Sequence, residues 1–160
     1  MTATATKRTS VKKVSDRELA FERIFDAPRE RVWAAYTDPK LVGQWWGRGH
    51  KLDIEKWEVK RGGHWRVVEH AEGESHGFEG RYREVTPMDR IVRTFEWDGM
   101  PGHVIIETAE FSDAGDGRTK VTGHSLFHTK EECEGFANTG MEGGMNESFE
   151  ALDRLLAAGK

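Results

Sequence analysis

The sequence predicts one α+β domain: a seven-stranded, curved antiparallel sheet wrapped around a long C-terminal helix, with two short helices after the first strand. Three observations predict it. Residues 51 to 127 alternate between apolar and polar with period two, interrupted by clusters of turn-forming residues. Near the C-terminus, Met141, Met145, Phe149, Leu152 and Leu156 fall on one face of a helix. Ahead of the alternating region, "APRERVWAAY" and "DPKLVGQWW" carry helical spacing behind a proline.

The elements follow in order. Residues 1–17 are basic and Ser/Thr-rich and lack the apolar core of a secretory signal, so they read as a solvated, disordered tail. A single domain then spans 18–160. "ELAFERIFDA" is a strand with Leu19, Phe21 and Phe25 on one parity and Ala20 and Ile24 on the other. Pro28 suits the first position of a helix whose stripe is Val32, Trp33 and Tyr36. Asp38-Pro39 starts a second, two-turn helix that pairs Leu41 with Trp45 and Val42 with Trp46. Gly47 and Gly49 end it in left-handed conformations. Successive helical residues point about 100° apart, so the two tryptophans cannot share a role. Trp45, one turn after Leu41, is expected to anchor the helix near Trp33, and Trp46 to stand at a rim.

Six strands are expected at 51–59, 64–70, 76–86, 90–98, 104–112 and 118–127. The breaks are "RGG", "AEGES", "TPMD", "DGMPG" and "DAGDG", short enough to imply an antiparallel meander. T-x-x-E occurs at Thr129–Glu132 and again at Thr139–Glu142, marking the start of a short helix and of the long one. Gly159 is placed to stop the latter.

The long helix covers roughly 28 Å at about 1.5 Å per residue, enough to cross the sheet. A twisted sheet curls around it and leaves space between the two. The candidate walls are Trp65, Phe78, Tyr82, Phe95, Trp97 and Ile106 from the strands. Met141, Met145, Phe149 and Leu152 face them from the helix, with Trp46 at the entrance. The same side chains also suit a filled core. Adaptable methionines and the costly Gly143-Gly144 pair favour open space. Several strands carry large side chains on both faces, so alternation leaves the inward parity open.

Composition narrows the chemistry. The net charge of -4 offers no basic field for nucleic acid or an anionic membrane. No apolar run is long enough to span a membrane. Cys133 is the only cysteine, so no internal disulfide forms, in keeping with a cytoplasmic protein. Glu131, Glu132 and Glu134 surround it and make it a poor nucleophile. The seven histidines form no H-E-x-x-H, and no metal site is expected. "RGGHW" and "GMEGG" match no phosphate-binding pattern, so no cofactor is expected. Glu69, Arg93, Glu107, Glu110 and His124 are polar residues inside apolar strands and are candidates for acid–base work. His124 in "VTGHSLF" stands out among them.

Five stretches, in this order and spacing, carry a family resemblance: "FDAPRERVWAAYTDPKLVGQWWG", "RGGHWRV", "FEGRYREVTPMDRIVRTFEW", "TKVTGHSLF" and "NTGMEGGMNESFEALDRLL". The chain resembles the activator-of-heat-shock-protein-ATPase homologue family of the SRPBCC (START and birch-pollen-allergen-like) superfamily. The resemblance implies a helix-grip fold with an apolar ligand cavity. Superfamily relatives include lipid carriers, hormone receptors and polyketide cyclases or aromatases. Three functions are therefore in view. The first is binding of a small hydrophobic molecule, with His124 and the aromatic and methionine walls as contacts. The second is a cyclase, aromatase or isomerase on the same fold. The third is an interaction module with a chaperone partner in a stress response. A homodimer through an edge strand or a helix surface is a further possible assembly.

Overall fold

The structure, a computed structural model, describes residue 9 and residues 11–158. Most of the expected tail and the expected helix stop at Gly159 lie outside the described residues. The strands are β1 Lys12–Ser15, β2 Glu18–Phe25, β3 Lys51–Trp57, β4 His64–Ala71, β5 Glu74–Thr86, β6 Arg90–Trp97, β7 Ile105–Gly115 and β8 Arg118–Leu126. The helices are α1 Arg29–Thr37, α2 Pro39–Val42, α3 Lys130–Ala137 and α4 Met141–Ala158.

All strands join one antiparallel sheet in the order β1-β2-β8-β7-β6-β5-β4-β3. The sheet has eight strands rather than the expected seven. The extra one, β1, lies where a disordered tail is expected. It is four residues of "KKVS", exposed throughout, too short and charged to show alternation. Charged side chains on a short outer strand discourage pairing with other chains. Just before it, Thr9 is buried against α4, where its N–H donates to Asn146 Oδ1 (2.9 Å) and its carbonyl accepts from Asn146 Nδ2 (3.0 Å).

Pro28 occupies the N-cap of α1 with no side-chain cap, and Val32, Trp33 and Ala35 are buried. Asp38 caps α2 by accepting from the Lys40 N–H. The α-helix proper spans a single turn, and hydrogen-bonded turns carry the chain on through Trp46. Thr129 caps α3 by accepting from the Glu132 N–H, while Glu132 reaches His128 rather than the cap residue. The second T-x-x-E does not form a capping box. Thr139 Oγ1 donates to Phe136 O, and Glu142 accepts from the Val11 N–H, drawn away by the N-terminal segment.

Helix α4 crosses the concave face of the sheet. Its C-terminal half is packed: Phe149, Leu152 and Leu156 are buried with Phe25, Phe111 and Val121. Its N-terminal half is looser, with Met141 and Met145 half-buried. That loosening opens the space described next.

Candidate functional site

A cavity of about 370 Å³ lies between the sheet and the N-terminal half of α4. That volume is at the lower end of the range of about 300–1,000 Å³ usual for small-molecule sites. Strand alternation decides its walls. On β4 the inward residues are Trp65, Val67, Glu69 and Ala71, all buried. On β6 the inward parity carries Ile91, Arg93 and Phe95, and on β7 it carries Glu107 and Ala109. Opposite them stand Phe21, Trp46 and Met145.

Of the expected wall residues, Trp46, Phe78, Tyr82, Phe95, His124, Met141, Met145 and Phe149 border the cavity. Four do not. Trp65 is fully buried behind it: its indole N–H donates to Thr94 O (3.1 Å), and the Arg93 guanidinium covers its ring at 4.0 Å. Ile106 has the opposite parity to Glu107 and points away from the helix. Leu152 is buried in the packed C-terminal half of α4. Trp97 ends β6, folds over Gly99 and His76, and is 37% exposed. Met100 and Val104 of the following connection are exposed as well.

His124 also needs correction. It borders the cavity, but alternation carries its imidazole to the outer face with Ala20, where Nε2 lies 3.0 Å from Glu18 Oε2. Glu110 pairs with Arg90 at 2.9 Å and is not among the cavity walls. The other acid–base candidates, Glu69, Arg93 and Glu107, all border the cavity. Their charges are matched in pairs. The buried Glu69 carboxylate accepts from Arg48 Nη2 (3.0 Å) and faces His50 Nδ1 (2.9 Å). Arg93 Nε donates to Glu107 Oε1 at 3.3 Å.

The two tryptophans differ in burial, although both border the cavity. Trp45 is 4% exposed, donates its indole N–H to Ala35 O (2.9 Å) and packs on Tyr36. Trp46 is half-buried and meets Phe78 edge-on at 5.3 Å. Gly47, Arg48 and Gly49 are all left-handed, with φ of 79°, 63° and 80°. This places Arg48 against α4, where its N–H donates to Ser148 Oγ (2.9 Å) and its side chain lies 3.4 Å from where a Gly144 Cβ would be. A Cβ on Gly144 would make ordinary contact with Arg48, while a Cβ on Gly143 would meet nothing.

Among the wall residues that sequence reasoning missed are Phe21, Tyr36, Arg48 and Gly123. Gly123 is where the Phe21 ring lies, since a Cβ there would stand 1.9 Å from the ring. A glycine inside a β-strand was the available signal. Burial raises the pKa of both the Tyr36 and Tyr82 phenols, with Arg93 opposing, so both stay neutral donors. Burial likewise pushes the Cys133 thiol up, ahead of the smaller effect of Glu134. No group of three or more metal-ligating side chains occurs among the described residues. No helix among them is long and apolar enough to cross a membrane.

A family model described as "Activator of Hsp90 ATPase homolog 1-like protein" matches residues 26–157. The chain belongs to this family. Its helix-grip architecture is that of the SRPBCC fold. A crystal structure of a Rhodobacter sphaeroides protein is 28% identical, with a TM-score of 0.85, over 94% of this chain and 99% of that one. A solution structure of an Arthrobacter aurescens protein is 26% identical, with a TM-score of 0.84, over 93% and 91%. DynU16, a protein in the dynemicin biosynthetic locus, shares the fold at 23% identity and a TM-score of 0.68, over 91% of this chain and 49% of its own. No curated protein matches the chain.

Proposed function

We propose that this member of the Activator of Hsp90 ATPase homolog 1-like family binds a small hydrophobic molecule between its sheet and α4. The observation that carries the reading is the cavity of about 370 Å³, walled largely by aromatic and methionine side chains. Apolar surface facing such a space gains by exchanging water for an apolar ligand. Phe78, Phe95 and Trp46 form the rigid wall, and the half-buried Met141 and Met145 the adaptable one. The test is calorimetric titration with tetralin, a compact bicyclic hydrocarbon, alongside native mass spectrometry of gently purified protein. Saturable one-to-one binding that disappears in Met145→Trp, which fills the space, is the expected result. No binding to a folded protein, with no retained small molecule, overturns the reading.

A second reading rests on a separate observation: Glu69, Arg93 and Glu107 are titratable groups inside an apolar enclosure. Such groups suit proton movement and enolate stabilisation of the kind a cyclase, aromatase or isomerase needs. DynU16, which shares the fold, belongs to a biosynthetic locus, in keeping with small-molecule work by this architecture. Conversion of a bound ligand, lost in Glu69→Gln or Glu107→Gln with binding retained, distinguishes an enzyme from a carrier.

A further inference from the structure

Arg93 differs from every other charged group in the cavity wall. Glu69 is consumed by Arg48 and His50. Arg48 is engaged through both Nε and Nη2. Glu107 accepts from Arg93 Nε. Beyond Glu107, the Arg93 side chain meets the Tyr82 hydroxyl, and its two Nη groups make no hydrogen bond to a carboxylate or carbonyl among the described residues. A guanidinium offers five N–H donors in a fixed plane, and a half-buried one with most of them unused is incomplete. The plane is also held still, because it lies on the Trp65 ring at 4.0 Å while Glu107 fixes Nε.

Two more donors share the neighbourhood. The Tyr36 and Tyr82 phenols border the same cavity, and both feel the charges of Arg93 and Glu107. The Tyr36 hydroxyl has no hydrogen-bond partner among the described residues. Donors therefore outnumber acceptors at this end of the cavity, and a bound molecule has to supply the acceptor. Its charge follows from the surroundings. The wall holds Arg48 and Arg93 against Glu69 and Glu107, two charges of each sign. A carboxylate brought among them would be an uncompensated anion in a partly dry site, which is costly. A carbonyl oxygen takes the donors without adding charge.

We propose that Arg93, with the hydroxyls of Tyr36 and Tyr82, binds an uncharged carbonyl oxygen, and that the ligand is a compact, ring-containing ketone or similar carbonyl compound. The proposal rests on the hydrophobic-ligand reading and adds the polar group that ligand carries. The test uses three probes with one carbon skeleton: 1-tetralone, tetralin and tetralin-1-carboxylate, each titrated calorimetrically. The intact protein should prefer 1-tetralone over tetralin by about tenfold, the size of one charge-assisted hydrogen bond. In Arg93→Met combined with Glu107→Gln, which leaves no orphan charge, that preference should vanish while tetralin still binds within about twofold of the original affinity. Arg93→Lys keeps the charge but loses the fork, and should leave a preference of about threefold. Tyr82→Phe, which removes only a hydroxyl, serves if either Arg93 variant fails to fold, and should weaken 1-tetralone alone. Equal binding of 1-tetralone and tetralin overturns the proposal while leaving the cavity reading intact. So does a preference that survives both the Arg93 and Tyr82 changes, or tightest binding of the carboxylate. Failure of all three probes overturns both readings together.

Discussion

Two arginines face inward from the same sheet, and they lead opposite lives. Arg23 on β2 lies where the sheet, the N-terminal segment and the middle of α4 close together. It is buried and bonded to Asp153 Oδ2 (2.6 Å) and Thr9 Oγ1 (3.1 Å), and it lies over the Phe25 and Phe149 rings at 5.4 Å each. Arg93 on β6 lies where α4 has loosened. It keeps one long bond to Glu107, a contact with the Tyr82 hydroxyl and an aromatic floor, and no carboxylate or carbonyl takes its Nη groups among the described residues. The difference is one of closure. Where three elements converge, a buried charge is closed off from solvent as a fastener, although its Nε has no partner; where two converge, the charge still faces the cavity.

Substitutions can break or sharpen that contrast, beginning with the largest effect. Trp45→Ala should cost about 3–5 kcal/mol, because it removes a buried indole and its hydrogen bond to the Ala35 carbonyl. Trp46→Ala, at the open side, should cost only about 1–2 kcal/mol by the lost apolar area. Urea unfolding compares them, and the reverse order would exchange their roles. Arg23→Met should cost about 3 kcal/mol, since it strands Asp153, whose Oδ1 is already buried without a partner. Arg93→Met should cost less than about 1 kcal/mol, because Glu107 is only half-buried and can turn to water. Equal costs would dissolve the distinction between fastener and binding group.

Gly123→Ala is expected to cost about 1–3 kcal/mol as the Phe21 ring is displaced. That ring would enter the cavity, so apolar probe affinity should fall with stability. The smallest effect at neutral pH belongs to Tyr36→Phe. Burial raises its phenol pKa, so the unfolded phenol ionises first, near pH 10. Wild-type stability is therefore fully present below that pH and is lost as pH rises toward the higher folded value. The variant should match wild type at pH 7 and lose less stability by pH 11, measured by paired urea unfolding curves.

Much of the fold was legible in the chain, and the reasons are local. Turn clusters, the Asp38 cap and the left-handed Gly47 and Gly49 depend on neighbouring residues and were recoverable from them. Strand β1 was not, because four exposed residues carry no pattern of their own. Of the site, the aromatic wall and the candidates Glu69, Arg93 and Glu107 were legible as large or charged residues within strands. Trp65, Trp97, Ile106 and Leu152 were misplaced, and Arg48 was not visible, because its part depends on contact with α4 across the fold.

The amino-acid sequence by itself determined the order of elements, the single face of α4 and the polar residues available to a cavity. Only the tertiary structure decided which of them face it. The physical reason lies in the sheet. Irregularities between Ile54 and Lys56, and between Tyr82 and Glu84, shift the pairing register. Each extra residue reverses the alternation beyond it, so Ile54 and Trp57, or Tyr82 and Val85, pack toward the same core despite odd spacing. Parity read along one strand cannot foresee that reversal, because it is set by the partner strand and by the helix around which the sheet must curl.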